Sequence, residues 1–109
     1  MVNTELLWEK LYPAAWKLAR SAAPIHDRIG EAFRAIRDLN GEDFRPEERI
    51  IYNEITTRMT KAGAVVENGA IKLGAVANTL AGMDEGEACE IAESIFELFV
   101  QVAEQHFKG

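Results

Sequence analysis

Apolar residues recur every three or four positions along most of the chain, the period of amphipathic helices. From Thr4 onward, Leu7, Leu11, Ala14, Leu18 and Ala22 form one stripe, with Trp8, Tyr12, Ala15 and Ala19 beside it. Asn3 or Thr4 can cap this helix and Glu5 suits its first turn. Pro13 lies inside the pattern and removes a ladder hydrogen bond, which predicts a kink near Tyr12. The run SAAP then breaks the pattern. Pro24 is placed to open a second helix with the core face Ile25, Ile29, Ala32, Phe33, Ile36 and Leu39, and Asn40-Gly41 is expected to end it with a left-handed residue. The connector EDFRP leads to Pro46 and a third helix through about Lys61, with the stripe Ile51, Ile55, Met59 and Ala62 flanked by Ile50 and Tyr52.

The last helix carries the strongest start signal. Asp84 can cap it, Glu87 can close a capping box, and Met83 with Ala88 can form a hydrophobic staple. It is expected to reach about Phe107. On a helical wheel its apolar residues, from Ile91 and Leu98 through Phe96, Cys89, Phe107 and Val100, cover roughly twice the ~100° arc that a one-sided helix needs. Two readings stay open: this helix lies centrally in the monomer, or part of the arc (Phe96, Val100, Phe107) is buried in a homodimer or by another protein. Glu90, Glu93, Glu97, Gln101, Glu104 and Lys108 share the remaining arc, which reads as a solvated face.

Between the third and last helices lies GAVVENGAIKLGAVANTLAG, residues 63–82. A phosphate loop fails here on spacing and identity, because Gly69 precedes Ala70 and Lys72 precedes Leu73. Asn-Gly is the preferred pair for a tight hairpin, and folding at Asn68-Gly69 sets Val66 against Ile71 and Ala64 against Leu73. The reading is a turn or short hairpin there, then a short helix from about Ile71 to Ala81 ended by Gly82. The chain is thus expected to be a single all-α domain over residues 1–109. It would be a four-helix-type bundle with a kinked first helix and a long connector before the last one.

Composition narrows the function classes. At 109 residues, with 48% hydrophobic and 28% charged residues, the chain has ordinary globular make-up. A net charge of −6 at pH 7 weighs against general nucleic-acid or anionic-membrane binding. The N-terminus lacks the continuous apolar stretch of a signal peptide, and no apolar run nears the roughly 20 residues of a membrane span. With Cys89 as the one cysteine, no internal disulfide forms, and a cytoplasmic setting is expected.

Candidate chemistry is sparse. His26, Asp27 and Arg28 are adjacent, but adjacent helical residues do not face one another. His106 falls within the apolar arc of the last helix. Neither histidine has a carboxylate at i±3 or i±4, so no metal or cofactor site is expected. Cys89 reads as a small buried hydrophobe, and Ser21, Thr4 and Thr56 lack a nucleophile motif. Arg28 is expected to pair with Glu31, and Arg34 with Glu31 or Asp38; Arg34 and Arg37 share a face with Gly30 that could meet an acidic partner.

Three segments, LWEKLYPAAWKLARSAAPIHDRIGEAF, EDFRPE and MDEGEACEIAESIFELFVQV, together resemble a group of small all-helical bacterial proteins of unknown function. The resemblance is carried by Leu11 to Ala15, Pro24, Ile25, Arg28, Asp43, Phe44, Pro46 and Met83 to Glu87. It implies an all-helical domain and no activity. The stretch from Ala64 to Gly74 is longer than that group's connector.

The expectation from sequence is a non-catalytic, homodimeric protein–protein interaction module, with a phage- or mobile-element-borne modulator of a host protein as a variant. The expected surface comprises Val65, Val66, Glu67, Asn68, Ile71, Lys72, Phe96, Val100, Phe107, Arg34 and Arg37. The alternative is an enzyme or small-ligand protein using His26/Asp27 or His106 in a pocket between helices.

Overall fold

The computed structural model describes residues 2–20 and 22–108; Ser21 lies outside them. Five α-helices carry most of the chain: α1 (Thr4–Arg20), α2 (Ile25–Ile36), α3 (Pro46–Thr60), α4 (Ala75–Ala81) and α5 (Glu85–Lys108). A 3-10 turn at Gly41–Asp43 precedes α3, and a two-stranded antiparallel hairpin, β1 (Val65–Glu67) and β2 (Ala70–Leu73), precedes α4. Helix α1 packs on α2 and α5, α5 also touches α2 and α3, and α4 bridges α3 and α2.

The α1 stripe meets the core as its period predicts: Leu7, Leu11, Ala14 and Leu18 are buried. Asn3 is its cap, since its Oδ1 accepts the Leu6 backbone N–H at 3.1 Å. The helix runs unbroken through Pro13. The donor that proline lacks would have served the carbonyl of Glu9, and both residues are exposed, where water can serve instead.

Helix α2 buries Ile29, Ala32, Phe33 and Ile36, and Leu39 follows into the core. Its end differs from the expectation. Asn40 is extended, and Gly41 belongs to the 3-10 turn; neither is left-handed. Tyr52 of α3 closes the helix instead, its hydroxyl lying 2.9 Å from the Ile36 carbonyl and 2.8 Å from that of Leu39. Its ring stacks on buried Phe44 at 4.7 Å. Asn40 and Asp43 bond reciprocally around the 3-10 turn, the Asn40 N–H donating to Asp43 Oδ2 at 2.9 Å.

The expected ion pair of Arg28 with Glu31 is also replaced. Arg28 reaches back to the end of α1, donating from Nε to the Ala23 carbonyl and from Nη1 to the Leu18 carbonyl, each at 3.0 Å. A guanidinium on the carbonyls of Leu18, in the last turn of α1, and of Ala23, in the connector after it, makes charge-assisted bonds in a partly buried place, which outweigh an exposed pair. Arg34 makes no ion pair among the described residues, against the expected partner Glu31 or Asp38.

The core face of α3 is rotated from the expected stripe. Tyr52, Ile55, Met59 and Glu48 are buried, Ile51 is half-buried, and Ile50 and Ala62 are exposed. Among the described residues, Glu48 is the one acid in the core. It accepts from the Arg45 backbone at 3.2 Å and from Arg45 Nε at 2.9 Å, while Arg45 Nη1 donates to Gln105 of α5 at 2.7 Å. A buried carboxylate is tolerated because it is paired and hydrogen-bonded.

The long connector has more structure than its glycines indicate. Asn68 (φ 53°) and Gly69 (φ 79°) take the paired left-handed geometry of a tight hairpin turn. Val66 pairs with Ile71 as expected, but the next pair is Val65 with Leu73, leaving Lys72 as an extra residue; the Ala64–Leu73 pairing is therefore corrected by a bulge. Residues 71–73 are strand, so α4 begins four residues later than expected. The base of the hairpin is clamped by α4. Asn78 Nδ2 donates to the Gly63 carbonyl at 3.0 Å, and the Ala62 N–H donates to the buried Thr79 hydroxyl at 3.1 Å.

At the start of α5, Asp84 Oδ1 accepts the Glu87 N–H at 2.7 Å, with Met83 and Ala88 buried beside it. The reciprocal half of the box is missing. The Glu87 carboxylate turns to Lys61 Nζ at 2.6 Å and Arg58 Nε at 3.4 Å, tying α5 to the end of α3.

Candidate functional site

The wide apolar arc of α5 is split between core and surface. Ala88, Ile91, Ile95, Leu98 and Val102 are buried. Ala92, Phe99, Val100, Ala103 and His106 are half-buried, while Phe96 (53%) and Phe107 (73%) remain exposed. Cys89 is exposed too, which corrects its reading as a buried hydrophobe: it lies on the outer flank of the arc, at nearly the same helical angle as the exposed Phe96 and Phe107.

What flanks the outer arc is the second stripe of α1. Trp8 stacks on His106 (5.3 Å, 4° between planes) and on Phe99 (5.6 Å), and meets Phe107 edge-on at 5.0 Å. Tyr12 lies 5.2 Å from Trp8, and Phe96 lies 6.0 Å from Phe99. These separations suit favourable aromatic contacts, each adding ~0.5–1.5 kcal/mol beyond area burial. The two helices run antiparallel here, since Trp8 meets the C-terminal part of α5 while Leu18 and Ala19 share a depression with Ala92.

The aromatic seam opens outward as a corrugated face. Its middle is a depression of about 300 Å³ lined by Tyr12, Ala15, Trp16, Ala19, Phe96 and Phe99. On the α5 side it joins one of about 410 Å³ walled by Ala92, Phe96, Glu93 and Glu97. On the far side of α1 lies one of about 510 Å³ walled by Tyr12, Trp16, Lys17, Arg20 and Glu31 of α2. Tyr12 and Trp16 are 44% and 48% exposed, large values for aromatic side chains on one continuous surface. The Arg20 guanidinium sits 5.9 Å from the Trp16 ring centre, within cation–π range.

Of the residues expected from sequence at the contact surface, Phe96 sits at the centre of this face and Phe107 at its end. Val100 is half-buried and lines none of these three depressions. Tyr12 and Trp16 were not expected there, although Trp8, Tyr12 and Trp16 recur at four-residue spacing and so mark one face of a helix. Val65, Val66, Glu67, Asn68, Ile71 and Lys72 are all exposed, on the separate hairpin. Its one ion pair, Lys72 with Glu67 at 2.9 Å, is solvent-exposed. Arg34 and Arg37 stay exposed on α2, but the Gly30 side they share is covered by Leu80 of α4, 3.0 Å from where a Gly30 Cβ would lie.

The residues of the alternative reading do not converge. His26 Nε2 donates to the Met83 carbonyl at 2.7 Å, fastening α2 to the entry of α5, and Asp27 is exposed. His106 stands at the other end of α5, about 30 Å away at 1.5 Å per residue. None of the three residues lines the depressions above, and no group of three or more metal-binding side chains occurs among the described residues. No helix among them is long and apolar enough to cross a membrane. No family model, curated protein or solved structure matches the chain.

Proposed function

We propose that this chain is a helical-bundle interaction module that works by binding protein through the α1–α5 aromatic face. The observation that carries the reading is the set of half-exposed Tyr12, Trp16 and Phe96 around connected depressions. Aromatic and arginine side chains with apolar depressions between them are the groups that anchor protein interfaces. Small residues at the seam, Ala15, Ala19 and Ala92, leave room for incoming side chains.

The hairpin supports a second contact element. Val66 and Ile71 are 61% and 70% exposed, and a short two-stranded arm offers open edges to an added strand.

The test is affinity capture with the tagged full chain, comparing wild type with Trp16→Ser and Phe96→Ser. Ile50→Ser, another exposed apolar position but on α3, serves as the control. The expected result is a bound protein, either a second copy or another chain, lost in the first two variants and kept in the third. Equal capture by all four proteins would sink the reading.

A further inference from the structure

We infer that the occupant of the aromatic face is a second copy of this chain, related by a two-fold axis running along the helices, so that α1 of each copy lies on α5 of the other. The inference rests on the reading of that face as a contact surface. It is carried by the order of groups across the face: Lys17 and Arg20 on the α1 rim, then Tyr12 and Trp16, then Ala15 and Ala19 at the seam, then Phe96, then Glu93 and Glu97 on the α5 rim.

Between Tyr12 and Arg20 the apolar strip has a basic rim on one side and an acidic rim on the other, an order that is self-complementary under one rotation; the exposed Glu5 and Glu9 lie outside that stretch, towards the start of α1. A two-fold axis along the helices turns the face over and sets each basic rim on the opposite acidic rim, with Tyr12 and Trp16 over the other copy's Phe96 and Phe99. A two-fold axis across the helices would instead lay the α5 carboxylates against their own copies. The rim groups are free for this use. All four are exposed, and none forms an ion pair among the described residues; Glu97 only accepts from Gln101 at 3.3 Å. Glu31 borders the basic rim on α2 and moderates it without reaching the seam.

The size of the face sets the strength. Helix α1 has 17 residues, so at 1.5 Å per residue and about 10 Å width per helix, α1 and α5 present about 500 Å² per copy. The total of about 1,000 Å² is at the lower limit for a specific interface, which places the dimer among weak, transient assemblies.

The test uses two charge-reversed forms of the full chain in sedimentation experiments. One carries Lys17→Glu with Arg20→Glu, the other Glu93→Lys with Glu97→Lys. Each should weaken self-association at least tenfold, because every rim then faces its own sign. An equimolar mixture should recover the dimer, because the two forms are complementary at both rims. Far-UV circular dichroism should match wild type, since all four sites are exposed. The inference is overturned if wild type stays monomeric at on the order of 1 mM, the weak limit of specific association, or if both reversed forms dimerise as wild type does. It is also overturned if the mixture fails to recover the dimer. A monomeric wild type that still captures a different protein through Trp16 and Phe96 overturns the two-fold assignment while leaving the contact face standing.

Discussion

Replacing Tyr52 with phenylalanine isolates a single tertiary cap. The hydroxyl is buried and serves the carbonyls of Ile36 and Leu39 at 2.9 and 2.8 Å, where α2 ends without a left-handed residue. Phenylalanine keeps the ring stack on Phe44 and leaves no cavity larger than one oxygen. The Ile36 carbonyl retains the Leu39 N–H at 3.1 Å, so Leu39 bears most of the loss. An unsatisfied buried acceptor costs about 1–3 kcal/mol, and one partner surviving puts the expectation near ~1.5 kcal/mol. Urea denaturation should show a midpoint lowered by on the order of 1 M with unchanged slope. The pH dependence provides an internal check. Burial, the largest cause, raises the Tyr52 hydroxyl above its ordinary value of 10.0, with small contributions from Asp38 and Asp43, against a lowering contact with Thr56. The unfolded phenol therefore loses its proton first. Stability from this group is full below pH 10 and declines as pH rises from there through the folded value. The phenylalanine variant should lack that component of the alkaline decline. A variant as stable as wild type, with an identical alkaline limb, would refute the capping account.

Arg28→Met keeps the apolar stem but removes the donors to the Leu18 and Ala23 carbonyls, and should cost about 1–3 kcal/mol in urea denaturation; no loss would contradict the clasp. Gly69→Val forces a β-branched residue to φ +79°. It should lower amide-exchange protection across residues 65–73 about tenfold while leaving the global urea midpoint unchanged, because the arm is exposed throughout. The Lys61 ammonium, chiefly, and Arg58 hold the Glu87 carboxyl below its ordinary value of 4.5. Its contribution is full above pH 4.5 and is lost as pH falls through the lower folded value, so Glu87→Gln should flatten part of the acid limb of a stability-against-pH curve. An acid limb identical to wild type would count against that anchor.

The parts of this fold set by local chemistry were legible in the sequence. Asp84, Asn3, Pro46 and the Asn68-Gly69 turn each act within three or four residues as their spacing predicts, although Glu87 leaves the box that Asp84 opens and turns to Arg58 of α3 and to Lys61 at its end. Reading failed where a distant group intervened. Arg28 looks like the partner of Glu31 until α1 is folded back beside it, and nothing near Asn40 announces that Tyr52 will close α2 from another helix. The hairpin bulge was hidden because alternate apolar residues on an unpacked arm do not fix register. For the contact face, the sequence showed half. The excess apolar arc of α5 exposed Phe96, but Tyr12 and Trp16 gain meaning only once α1 is laid antiparallel against that arc. Cys89 was misread because a helical wheel gives the width of an arc and not where its neighbours stop.

The most direct test of the contact face is photo-crosslinking of the full chain with a photoreactive residue at position 16, and at the exposed position 53 of α3 as the control. The account predicts a protein adduct from position 16 alone, with the two-copy arrangement placing the crosslink on residues 92–99 of a second chain. Equal adduct yield from both positions, or none from position 16, would contradict it.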